Sequence, residues 1–236
     1  MAENNKGIEL VRKINRDWRK ELEKDPSLGI LMYEPFTDEY WKEKYKIVLC
    51  NLEPGGDKPD NKNILDEEKK NILNEDGFKY WLDKKHRTIK NSALFIYCLY
   101  NMLHNTDINK KDLEKAKKDN KELLKNMRKV TYMNLLQDVG DGRFDKKYFW
   151  DFYVKDNIKN RENIFNLINA LDPDIFIVTS EGGTLIEQLY ERKFNNHIFV
   201  HNSTLFVNLG HPSRCFNIDY ILFNANMIKE SLIHIS

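Results

Sequence analysis

Cysteine is scarce in this chain. Cys50, Cys98 and Cys215 are the only three among 236 residues, far apart and without a CxxC pair. That scarcity excludes a disulfide framework and a four-cysteine iron–sulfur site built from one chain, and leaves three buried thiols as the expectation. An excess of charge is missing as well: 38 Lys and Arg against 37 Asp and Glu give a formal net charge of +1, so attraction to a polyanion has to come from local clustering. There is no run of about 18 apolar residues, and the opening MAENNKGIELVRKINRDW has no apolar stretch of signal-peptide length. Neither a membrane partner nor an export signal is expected, and the cytoplasm is the expected compartment. No Pro/Gly/Ser-rich linker and no internal repeat divides the chain. What is present is core-forming material, 41% hydrophobic and 12% aromatic, enough for one substantial domain over residues 1–236.

Within that domain, residues 1–44 read as an N-terminal helical segment and 57–129 as a mostly helical insertion. Ile8, Val11, Ile14, Trp18 and Leu22 recur at helical spacing until Asp25-Pro26 ends the pattern. Lys46 to Asn51 is the first strand. Ile89 to Leu103 is a helix apolar on most sides, and Asn109 to Lys129 reads as one amphipathic, lysine-rich helix. Val130 to Leu135 is a strand, Arg161 to Leu171 a helix, and Asp174 to Thr179 a β-branched run suited to a strand buried on both faces. A helix from Thr184 to Arg192 follows, then short strands at His197 to His201 and Thr204 to Asn208 around Asn202-Ser203, and a last helix from Asn217 to Ile233. Strands alternating with helices predict an α/β fold: a three-layer α/β/α sandwich with a mainly parallel central sheet.

Two turns stand out against this frame. YKIVLCNLEPGG (Tyr45 to Gly56) and LFVNLGHPSR (Leu205 to Arg214) are each a buried-strand run ending on a tight turn that holds one acid–base residue, Glu53 in the first and His211 in the second. Open α/β sheets bind ligands at such strand ends. Pro54 pushes Glu53 into extended geometry, and Gly55 and Gly56 can take positive φ and admit a close backbone. Turn amides there, from Asn51 to Gly55, can hold a sugar-phosphate, and the carboxylate can activate a water or stabilise a developing cation. Gly210 and Pro212 bracket His211, whose imidazole suits hydrogen bonding to a developing oxyanion, and Ser213 and Arg214 can bind phosphate oxygens. Each turn alone also reads as a plain strand-ending loop; their pairing favours chemistry.

These residues resemble the uracil-DNA glycosylase superfamily. Its first motif is an apolar strand leading to a short turn of the type G-x-(D/N)-P-(Y/G), and its late motif is of the type H-P-S; NLEPG and GHPSR stand in those places. Between them, VTYMNLL (Val130 to Leu136) is similar to the family's middle strand, with Asn134 at the base-reading position. PDIFIVTSEGGTLIEQL (Pro173 to Leu189) looks like the strand and helix before the histidine motif. The resemblance covers most of the chain from about Lys46 onward, with the motifs in the family's order. It implies a uracil-DNA glycosylase-like fold and a DNA glycosylase activity on single- or double-stranded DNA. In that activity Glu53 activates water or stabilises the cation, His211 donates a hydrogen bond to the departing base, and Asn134 reads the base edge. Ser213 and Arg214 touch the backbone, and no metal or organic cofactor is required. The chain departs from the family pattern in three ways. Glu53 replaces aspartate or asparagine, moving the carboxylate by about one C–C bond. Asn51 stands where glycine opens the first motif, with no phenylalanine close behind to stack on the base. The iron–sulfur cysteine quartet is missing. Phe78, Tyr80 and Trp81 are candidate stacking residues as well as candidate core.

Weaker signals point elsewhere. Nine Lys or Arg against four acids between Asn109 and Lys129 read as a solvated face, and SEGGT (Ser180 to Thr184) as a plain tight turn lacking the P-loop lysine. The remaining histidines show no metal-ligand spacing beyond His197 and His201, which lie in strand-like sequence, so no metal site is expected. Two alternatives to the glycosylase stay open at this point: a non-catalytic nucleic-acid-binding module of the same fold, and a hydrolase of free nucleosides or nucleotides.

Overall fold

A computed structural model describes residues 2–22, 39–51, 75–134, 158–180 and 182–235. Its centre is a five-stranded sheet: β1 (Ile47–Asn51), β2 (Thr131–Asn134), β3 (Ile175–Thr179), β4 (Ile198–His201) and β5 (Thr204–Leu209), in the spatial order β2-β1-β3-β5-β4. The pairs β1–β2, β1–β3 and β3–β5 are parallel, and the edge strand β4 is antiparallel to β5. IVLCN and IFIVT are buried at every position, which is why they carry continuous apolar runs and not an alternating pattern. The β4–β5 hairpin turns through Asn202 and Ser203, both at positive φ (47° and 68°). Two left-handed residues match the twist of the flanking strands, as in type I′ hairpins.

The described helices are α1 (Ala2–Leu22), α2 (Glu75–Asp83), α3 (Arg87–Leu103), α4 (Lys110–Ala116), α5 (Asn120–Met127), α6 (Ile158–Leu171), α7 (Gly182–Tyr190), the single turn α8 (Pro212–Cys215) and α9 (Ile218–Ile233). The connection from β1 leads to β2 on one side, and that from β3 leads to β5 on the other. Right-handed crossovers therefore put α2–α5 on one face of the sheet, and α6 and α7 on the opposite face. The packing agrees: α3 carries α2, α5, α8 and α9 against it, while α1 lies on α6. Helices on both faces of a mostly parallel sheet make this an α/β fold compatible with a three-layer arrangement. α3 is the central helix of its layer, burying Ile89, Ala93, Leu94, Phe95, Ile96, Cys98 and Leu99.

The lysine-rich stretch expected as one helix is two. Asn109 caps α4 in a reciprocal box with Asp112, and Asp119 caps α5 by accepting from the amides of Lys121 and Glu122, both at 3.1 Å. An Asp that can take the first amides of a new helix favours a restart over continuation.

Candidate functional site

The parallel register draws four sequence-distant positions into one row at the carboxyl edge of the sheet. Asn51 ends β1 directly opposite Asn134, which ends β2; β3 ends at Thr179, opposite Leu209 at the end of β5. Cys50 pairs with Val178, so Asn51 and Thr179 are also level. Neighbouring strands lie about 4.8 Å apart, which sets the ends of β1 and β5 roughly 10 Å from one another with β3 between them. β1 and β3 are the strands whose connections leave in opposite directions, so the crevice outside their ends is the topological switch point of the sheet.

A buried polar cluster ties this edge together. Thr179 Oγ1 donates to Asn51 Oδ1 at 2.7 Å, and Asn51 Nδ2 donates to the Tyr132 hydroxyl, linking β3, β1 and β2. Tyr132 and Thr179 are 0% and 1% exposed and Asn51 is 7% exposed, so these bonds form away from water, where leaving a partner unmade is costly. Burial holds the Tyr132 phenol in its protonated form well beyond neutral pH. The sequence marks Asn51 as a ligand-facing turn residue; in the structure its amide bonds within the sheet, which makes it a strut for the turn that follows. Cys50 beside it is fully buried, and burial pushes its thiol well up, which rules out a thiolate nucleophile there.

The histidine turn is held from several directions. Gly210 donates its amide to the Tyr220 hydroxyl at 2.8 Å, and a Cβ at this glycine would come within 2.4 Å of Cys215 Sγ. Only glycine allows that approach. Asn91 of α3 donates from Nδ2 to the Pro212 carbonyl at 2.8 Å. His211 is the N-cap of α8, with Pro212 as its first residue, and its Nδ1 accepts from the Ser213 amide at 3.1 Å. The Ser213 hydroxyl lies 2.7 Å from the same nitrogen. A ring nitrogen that accepts from a backbone N–H carries no proton, so the neutral ring is protonated at Nε2. Burial, and then the Arg214 guanidinium, hold the imidazole below its usual pKa of 6.5. His211 is thus a neutral, half-buried imidazole whose Nδ1 is turned onto its own helix cap, which leaves Nε2–H to donate.

The other expected site residues divide. Arg214 is exposed beside the imidazole, and Ser213 holds its hydroxyl on the His211 ring. Asn134 falls at the strand end in register with Asn51. Glu53 and Gly55 lie outside the described residues, two and four positions past the end of β1. Of the stacking candidates, Phe78 is fully buried edge-on to Tyr132, Trp81 packs edge-on to His86, and Tyr80 is 37% exposed. Tyr132, Thr179, Asn91 and Tyr220 escaped the sequence reading; the first three matter through partners 81, 128 and 121 residues away, and Tyr220 through Gly210 across a turn that only the fold closes.

No family model, curated protein or solved structure matches this chain.

The chemistry that the described residues make available at the edge follows from the residues themselves: a neutral N–H donor just past the end of β5 and an amide residue at the end of β2. Among the described residues no group of three His, Cys, Asp or Glu side chains could hold a metal ion, and no helix is long and apolar enough to cross a membrane.

Proposed function

We propose that the chain is a monofunctional DNA glycosylase of the uracil-DNA glycosylase type, hydrolysing the N-glycosidic bond of uracil or a related modified base. The observation that carries this reading is the row at the carboxyl edge. The last residues of β1, β2 and β5, namely Asn51, Asn134 and Leu209, are far apart in sequence yet stand at the same end of parallel strands; in the sequence Glu53 follows the first by two residues and His211 the last by two. The neutral Nε2–H of His211 supports the reading further, because a donor to a departing base has to carry its proton on the nitrogen that its own helix cap does not use. In the reaction the C–N bond breaks and positive charge builds on the sugar while negative charge builds on the base. The His211 Nε2–H stabilises the leaving base, and the Glu53 carboxylate stabilises the sugar cation and takes a proton from the attacking water. Asn134 reads the base edge, and Arg214 lies against the phosphate backbone. A base in a duplex has to be flipped out of the stack at a cost of roughly a few kcal/mol, least for a mispaired base.

The test is by substitution. Losing one donor to a developing anion lowers a rate by roughly 10²–10³. His211→Ala is therefore expected to lose about that factor in single-turnover base release, and Glu53→Gln to lose activity too, while both variants keep the wild-type far-UV circular dichroism. Unchanged rates in both variants sink the assignment.

A further inference from the structure

The strongest unexplained feature lies beside the histidine turn, on the helices between β1 and β2. Lys90 sits in the first turn of α3, one residue before the Asn91 that holds Pro212. Its ammonium is partly desolvated and donates to Asn120 Oδ1 at 3.3 Å, and Lys85 and Lys117 crowd it with like charge. Asp83 opposes them, and its Oδ1 already accepts from Asn120 Nδ2 at 2.9 Å. Lys90 and Asp83 are thus bridged by the helix-start amide of Asn120, with the charges of Lys85 and Lys117 acting on the same ammonium.

The crowding continues along α4. Lys110, Lys111, Lys115 and Lys118 line a shallow groove of about 390 Å³ with Glu114 as its only acid. The Asn109 to Lys129 stretch holds four carboxylates in all, and three of them bond to the backbone or to neighbouring side chains while staying at least partly exposed. Asp112 accepts from the Asn109 amide at 3.0 Å, Asp119 caps α5, and Glu122 takes the Asn126 amide at 3.3 Å and pairs with Lys125. Lys110 is ion-paired to Asp219 in the first turn of α9, and among the described residues no ion pair holds Lys111, Lys115 or Lys118. The Lys110–Asp219 pair ties the start of α4 to the start of α9, while Asn120, the first residue of α5, accepts from Lys90 in the first turn of α3; α9 and α3 are the two helices that hold Gly210 and Pro212. In three dimensions four of these lysines gather along one groove, and Lys90 stands one residue before the Asn91 that bonds the histidine turn. Like charges gathered without packing need cost stability, and they focus a positive potential over a concave surface.

We propose that Lys85, Lys90 and Lys117, together with Lys111, Lys115 and Lys118, form a track for the phosphate backbone of the DNA whose target nucleotide sits at the His211 turn. This rests on the glycosylase reading for its substrate, and it makes that substrate a polynucleotide and not a free nucleotide. Each lysine that neutralises a phosphate contributes to the salt dependence of binding, with a slope of about 0.9 per contact for duplex and about 0.7 for single strands.

The experiment is equilibrium binding of the full chain to a fluorescent 20-mer DNA lacking any damaged base, across a series of salt concentrations. Lys115→Gln/Lys117→Gln/Lys118→Gln is compared with Lys13→Gln/Lys42→Gln/Lys44→Gln, which removes the same charge from exposed positions elsewhere. The track predicts that the first variant loses about 2–3 from the magnitude of the log–log salt slope and binds more weakly, with the control near wild type. Equal losses in both variants, no change in the first, or no DNA binding by the wild-type protein overturns it. Displacement of the oligonucleotide by polyglutamate as readily as by unlabelled DNA overturns it as well. Binding is read without catalysis. A selective slope change in a protein that releases no base would keep the track and remove the glycosylase reading, and base release with equal slopes would do the reverse.

Discussion

Replacing Thr179 with valine removes one hydroxyl at nearly constant shape, and the structure sets what that hydroxyl is worth. Its Oγ1 donates to Asn51 Oδ1 at 2.7 Å, between residues 1% and 7% exposed. Valine opens no cavity, so the cost comes from leaving a buried amide oxygen without its donor, about 1–3 kcal/mol. With Asn51→Leu already in place the acceptor is gone and the threonine hydroxyl is itself the orphan, so the same Thr179→Val change should be close to neutral. The loss of the Tyr132 partner is common to both Asn51→Leu proteins and cancels in the comparison. A double-mutant cycle by urea unfolding at pH 7 is therefore expected to give a coupling of about 1–3 kcal/mol with unchanged m-values. Additivity within about 0.5 kcal/mol would mean that the two side chains do not share a bond, and the account of a tied strand edge would fail.

Two further outcomes follow from the histidine turn. His211 should titrate below 6.5 and, when neutral, carry its proton on Nε2, both readable by ¹⁵N–¹H NMR of labelled histidine. The sign is fixed by linkage: with the folded pKa lowered, the unfolded chain binds more protons. His211 then disfavours the folded state as pH drops below 6.5 and has no such effect above it. A folded pKa above 6.5, or an Nδ1–H tautomer, contradicts the cap geometry. Gly210→Ala drives a Cβ to 2.4 Å from Cys215 Sγ and 2.7 Å from Cys215 Cβ, so overpacking of about 1–3 kcal/mol and a displaced turn are expected. Wild-type stability by thermal or urea unfolding would show that the turn has room to spare.

The order and type of the strands and of most longer helices were legible in the sequence because their signals are local, whereas the single turn α8 at Pro212–Cys215 read as a loop. IVLCN and DIFIVT are apolar runs of strand length, and Asn202-Ser203 sits where a two-residue hairpin turn is needed. Boundaries and breaks were less legible. Asn109 to Lys129 keeps a helical stripe straight through Asp119, and only the cap bonds reveal the restart. Asn51 shows the deeper limit. Nothing near it in sequence betrays that its amide bonds to Tyr132, 81 residues on, and to Thr179, 128 residues on, so a residue that ties three strands read as part of a ligand-facing turn. Lys110, Lys111, Lys115 and Lys118 are exposed, as the sequence reading expected, while the groove that these four share with Glu114 is visible only in the fold. His211 was legible as a site candidate from its Gly and Pro neighbours, whereas its tautomer depended on the amide of Ser213, which only the folded turn supplies.

The central claim is that the carboxyl edge of this sheet breaks N-glycosidic bonds. The most direct measurement is base release from single- and double-stranded oligonucleotides carrying uracil, hypoxanthine, xanthine, or hydroxymethylated or glucosylated pyrimidines, read as strand scission after alkali, with wild type and His211→Ala side by side. The account predicts scission at one of these bases by the wild-type protein, reduced by about 10²–10³ in the variant. Scission that is equal in the two proteins, or none on any substrate despite tight DNA binding, would contradict it.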